Sequence, residues 1–172
     1  MESHRLDELL TRLGDPDGVK RQRARETLAA IGEVAVPPLV GLLGNSDSHL
    51  RWEAAKALTE IPDPAAVPGL VSLLGDPKSE IRWLAAAGLI GLGNRSIPHV
   101  LRALTDHADS MDFRAASHHV FHDLAERNSV LREILGPVLA VLGDTDPAGV
   151  ISTRAEVALR ELLALKHRQP PE

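Results

Sequence analysis

The stretch Leu50-Arg51-Trp52-Glu53-Ala54-Ala55-Lys56-Ala57-Leu58-Thr59-Glu60-Ile61 returns 31 positions later as Ile81-Arg82-Trp83-Leu84-Ala85-Ala86-Ala87-Gly88-Leu89-Ile90-Gly91-Leu92. The same shift carries Val36-Pro37-Pro38-Leu39-Val40-Gly41-Leu42-Leu43-Gly44 onto Val67-Pro68-Gly69-Leu70-Val71-Ser72-Leu73-Leu74-Gly75. A fixed period of this length restricts the chain to repeat architectures, in which one small unit buries its apolar face only by stacking on the next. On a helical wheel Ala54, Ala57, Leu58 and Ile61 lie within about a quarter turn of Leu50, while Trp52, Lys56 and Thr59 face the other way. The second segment is a short apolar helix opened by proline near its first turn, where a missing N–H costs nothing. Each unit is therefore a long helix paired with a short one.

Read in order, His4 to Leu13 is a lone helix ending at Gly14, a half-repeat that covers the amino-terminal end of the core. Asp15-Pro16-Asp17-Gly18 is a turn, Lys20 to Ile31 the first long helix and Pro37 to Leu43 its short partner. The second unit runs over 45–74 and the third over 76–104. In the fourth, Phe113-Arg114-Ala115-Ala116 matches Ile81-Arg82-Trp83-Leu84 at a shift of 32, so the turn before it has grown by a residue. Val130 to Leu142 is its short helix, interrupted by Gly136-Pro137. The last long helix covers about 149–166, and the polar, Pro-rich tail 167–172 is expected to fray. The expectation is one repeat domain over 1–172: half-repeat 1–14, regular repeats 15–104, diverged repeats 105–166 and tail 167–172.

Composition narrows the function. Cysteine is absent, which removes disulfides, thiol nucleophiles and Cys-type zinc sites, and fits a reducing cytoplasm. No apolar run approaches the length of a membrane span, and no signal peptide is evident. A net charge of −5 lacks the basic field of nucleic-acid binders, so neither DNA, RNA nor a membrane is the expected partner. No glycine-rich phosphate loop or nucleophile elbow occurs: Gly88, Gly91 and Gly93 fall in a helix and its cap, and Ser117 beside His118 is in helical context.

At these residues the chain resembles the HEAT-repeat family, in the form of the short bacterial repeats named after phycobilisome lyases, over roughly 5–165. That family follows an Asp-Pro turn, six residues on, with an arginine opening the second helix. Asp15 with Arg21 and Asp76 with Arg82 fit, Asn45 with Arg51 fits conservatively, the fourth unit breaks the spacing, and in the fifth Asp146 is followed by Ser152. The resemblance implies an all-α, right-handed α-solenoid of about four to five helical hairpins. It also implies that these Asp and Arg side chains bond loop backbones and one another along the stack, a structural role that recurrence once per repeat favours over catalysis.

The resemblance further implies that the arginine-bearing helices line a concave binding face. Its rungs are Gln22, Arg23, Glu26; Trp52, Glu53, Lys56; Trp83, Leu84, Ala87; Ala115, Ala116, His119; and a fifth of Thr153, Arg154, Val157. Trp52 and Trp83 are the only tryptophans, at equivalent positions one repeat apart, and tryptophan is enriched at interface hot spots. The alternative use of each indole is lateral packing on the neighbouring repeat, and the two uses are compatible. The expected function is a non-enzymatic scaffold or adaptor that binds a protein or peptide through Arg23, Glu26, Trp52, Glu53, Lys56, Trp83, Leu84, Ala87 and His119, as a monomer or weak homo-oligomer, without a cofactor. Two alternatives accompany it. One is a phycobilin lyase-like, chromophore-handling factor, which the repeat's name suggests. The other is a metal-dependent enzyme built on His118, His119 and His122, since imidazoles four apart share a helix face. The iron-binding enzymes of the family, the deoxyhypusine hydroxylases, use His-Glu dipeptides. This chain has none, its nearest match being His122-Asp123, so no metal is the expectation.

Overall fold

The computed structural model describes residues 2–143 and 146–168, and every regular element among them is helical. The architecture is the stacked helical-hairpin one that the repeat demands. Packing divides it into two compact units, Met1–Leu92 and Gly93–Glu172.

The first unit holds α1 (Glu2–Arg12), α2 (Gly18–Ile31), α3 (Val36–Leu42), α4 (Ser48–Leu58), α5 (Val67–Ser72) and α6 (Ser79–Leu92). The boundaries follow local chemistry. Asp17 and Asp47 cap α2 and α4, each carboxylate accepting the N–H two residues on at 2.8 Å. Gly32, with φ of 75°, supplies the left-handed residue that ends α2. Prolines stand in the first turn of α3 and α5, as expected. The long helices α2, α4 and α6 pack in succession, and α1, α3 and α5 pack respectively against α2, α4 and α6. The predicted stripe is the core: Ala54 and Ala57 are wholly buried, with Leu58, Ile61, Leu28 and Leu89 beside them. Each such leucine contributes about 2 kcal/mol on leaving water.

The second unit holds α7 (Ile97–Asp106), α8 (Met111–Glu126), α9 (Ser129–Leu139) and α10 (Ala148–Arg168). Its helices form a closed cycle: α7 packs on α8, α8 on α9, α9 on α10, and α10 back on α7. The Ser152 hydroxyl on α10 donates to the Thr105 carbonyl on α7 at 3.2 Å. This differs from the expected fifth rung beside α8: the extensive contacts of α10 are with α7 and α9 instead. Gly136-Pro137 also fails to end its helix: α9 runs on to Leu139 with Pro137 inside it, giving up the one N–H that would have reached the Glu133 carbonyl. Helix α10 continues to Arg168, into the segment expected to fray, and the rest of that segment, 169–172, lies outside the described residues.

Two glycines in the first unit face opposite conditions. A Cβ on Gly88 would stand 2.9 Å from Leu70 Cδ1, so α6 meets α5 through that missing side chain, whereas a Cβ on Gly91 would meet nothing within 4 Å. Gly88→Val is expected to lose about 1–3 kcal/mol to overpacking, and Gly91→Ala to gain up to about 1 kcal/mol of helix propensity. Urea unfolding followed by tryptophan emission reads both, since Trp52 and Trp83 lie in this unit.

Candidate partner-binding face of the first unit

The recurring arginines are structural. Arg21, Arg51 and Arg82 each donate through Nη1 to the carbonyl six residues back, on Asp15 at 2.8 Å, Asn45 at 2.9 Å and Asp76 at 2.7 Å. Arg114 does the same through Nε to Ala108. The fourth unit therefore keeps the spacing that its residue types hide: a carbonyl is the acceptor, so alanine serves where aspartate stands elsewhere. The arginines also reach forward. Arg21 Nε donates to Glu53 Oε1 at 2.9 Å, Arg51 forks onto Asp76 at 2.7 and 3.1 Å, and Arg114 donates to the Gly143 carbonyl at 3.3 Å. Asp76 additionally accepts the Lys78 N–H at 2.8 Å. Burial pushes the Asp76 carboxyl up, but the Arg51 hydrogen bond, the Lys78 N–H and the charges of Arg51 and Arg82 outweigh it and hold it below the usual carboxylate range.

Around this ladder the expected ribbon residues of the first unit separate. Gln22, Arg23, Glu26, Trp83 and Ala87 are exposed, while Trp52, Lys56 and Leu84 are part-buried. The Gln22 amide donates to Glu26 at 2.8 Å. Glu53, expected to orient a partner from the surface, is instead only 2% exposed. The reason is lateral. Its side chain points at the preceding helix, where it accepts from both Arg21 and Arg25, and a carboxylate so placed is kept buried by its two cations. Arg25 was absent from the expected set. Its guanidinium lies 5.6 Å from the centroid of the Trp52 ring, a cation–π contact of about 1 kcal/mol. A sequence signal existed in Arg25 following Arg21 by one helical turn, on the side facing the next rung. Trp52 is thus part lateral packing and part surface, while Trp83 is 62% exposed. Between the first turns of α2, α4 and α6 opens a cavity of about 440 Å³, bounded by Arg21, Arg25, His49, Trp52, Glu53 and Glu80 among others.

In the second unit Ala115 is exposed, Ala116 is buried and His119 is part-buried on α8. The rings of His118 and His122 stack at 5.8 Å. Partial burial, and then the neighbouring His122 and His119, hold His118 below the ordinary imidazole value. Among the described residues no three His, Cys, Asp or Glu side chains gather where they could hold a metal ion. Likewise, no helix among them is long and apolar enough to cross a membrane.

Residues 6–90 match the sequence profile of the HEAT repeats. Among solved structures, a chain from the complex of CpcE and CpcF of phycocyanin lyase from Nostoc sp. PCC7120 matches with a TM-score of 0.63 at 21% identity, over 91% of this chain and 98% of that one. A designed armadillo repeat protein matches with a TM-score of 0.48 at 21% identity, over 97% and 94% respectively. No curated protein sequence matches. The first of these likenesses shows the fold.

The Arg51–Asp76 pair gives a pH signature. Because Asp76 is held low in the fold, its contribution is complete above the unfolded carboxyl value near 4 and is lost as pH falls through the folded value. Asp76→Asn is expected to cost about 3 kcal/mol at neutral pH, by leaving Arg51 without its carboxylate, and to flatten the acid limb. Chemical unfolding at a series of pH values from 7 downward measures both effects.

Proposed function

We propose that this chain, which belongs to the HEAT repeats over residues 6–90, is a non-enzymatic scaffold that binds a protein or peptide segment on the face built by α2, α4 and α6. The observation that carries the reading is Trp83, a large indole left 62% exposed one rung from Trp52. Tryptophan is among the residues most enriched at interface hot spots, and most of this side chain's surface is accessible to a partner. The partner's apolar side chains lie on Trp83, Trp52 and Leu84. Lys56, Arg23 and Glu26 border them and set orientation through their charges. Glu53 acts beneath this surface: it holds Arg25 under Trp52 and so fixes the angle of one indole.

A bilin-handling role is the second reading. It draws on the likeness to a chain of the phycocyanin lyase complex, a likeness of fold. A shift in the visible absorption of a free bilin on mixing would favour it over the scaffold.

The scaffold reading is tested by Trp83→Ala. The side chain is exposed, so the unfolding midpoint should stay close to that of the parent protein. Loss of a hot spot of about 2 kcal/mol should weaken partner capture roughly thirtyfold. Pull-down from the native host with parent and variant chains, compared at matched concentration, decides: the same partners retained at the same strength would reject the reading.

A further inference from the structure

We propose that one open flank of α10 joins two copies of this chain as an antiparallel, two-fold pair. The inference concerns the second unit and goes beyond the scaffold reading of the first. Helix α10 packs on α7 and α9, with Ile151, Ala155, Ala158 and Leu162 turned inward and buried. A second stripe stays open: Val150, Arg154, Val157, Glu161 and Leu165 are all exposed. These positions recur every three or four residues, so they share one flank of the helix over about four turns. At its far end the stripe meets a cavity of about 260 Å³ between α9 and α10, lined by Leu165 and by Val130, itself 48% exposed. The charges say what covers this flank. Among the described residues neither Arg154 nor Glu161 is ion-paired, whereas Arg160 and Glu156 on the adjoining flank pair with each other at 3.8 Å. Arg154 and Glu161 stand about 10 Å apart along the helix, too far to pair within one chain. A second copy running antiparallel, with the two-fold axis between positions 157 and 158, sets each Arg154 against Glu161 of the partner subunit. The same register sets Val150 against Leu165 and brings the two Val157 side chains beside the axis. A parallel pair would instead set arginine on arginine and glutamate on glutamate. A wholly basic or wholly acidic partner answers only one of the two charges. Glu133, which also lines the cavity with Glu161, adds a second carboxylate for the incoming arginine. One helix flank from each copy is a small interface, so the dissociation constant falls on the order of 10–100 μM. The dimer carries the face built by α2, α4 and α6 twice, and a partner offering two segments gains avidity.

Analytical ultracentrifugation of the full chain over about 1–300 μM tests the proposal. The parent chain should pass from monomer to dimer within that range. Arg154→Glu and Glu161→Arg, each made alone, bring like charges together twice per dimer and should weaken association roughly tenfold or more. Combined, the two substitutions exchange the charges and should restore association to near the parent strength. Both side chains are exposed, so every variant should keep the parent's unfolding midpoint. A parent chain that stays monomeric to the top of the range overturns the proposal. So does a dimer indifferent to either single reversal, or a double variant that associates no better than the single ones.

Discussion

The long helices α2, α4, α6 and α8 are each tied to what surrounds them through one arginine near the start. The guanidinium closes the turn behind it by donating to a carbonyl six residues back. For Arg21, Arg51 and Arg114 it also reaches an acceptor further along the chain. A turn between helices exposes carbonyls that the helix ladder does not satisfy, and a buried guanidinium needs several acceptors. One side chain answers both needs. The apolar stripes supply most of the stability, but they are greasy and uniform, rich in Ala and Leu, and could slide. The arginine contacts are directional, and they set which residue stands opposite which.

Much of the fold was legible because it depends on short-range pattern. The 31-residue period, the stripe through Ala54, Ala57, Leu58 and Ile61, and the prolines opening α3 and α5 all act within one or two turns of chain. The misreadings came where the operative group was not the one that residue type displays. Arg114 keeps its register because a backbone carbonyl accepts, and no side chain at Ala108 advertises that. Pro137 reads as a break, yet α9 carries it inside and ends only at Leu139. The docking of α10 on α7 depends on contacts about fifty residues apart, beyond the reach of any local period.

The candidate face was legible in its apolar half only. The two tryptophans are visible as a repeated letter, whereas the burial of Glu53 is not, because it depends on a neighbour across the groove. Helical spacing placed Glu53 on the ribbon beside Trp52. The cations of α2 then drew the carboxylate inward, and the outcome was a buried cluster with an indole resting on it. The equivalence of the two tryptophans in sequence therefore does not make them equivalent in space: one is partly covered and the other stands open.

The acids that answer the arginines occupy different places at successive junctions. Glu53, which serves α2, sits on helix α4 itself, while Asp76, which serves α4, sits in the turn ahead of α6. The third repeat carries Leu84 where the second carries Glu53, and the second carries Asn45 where the third carries Asp76. Neighbouring modules are thus not interchangeable bricks. Splicing the third directly behind the first would strand Arg25 opposite a leucine, so the order of the repeats is written in the positions of two carboxylates, and gene-level duplication or shuffling of one unit would have to rewrite them.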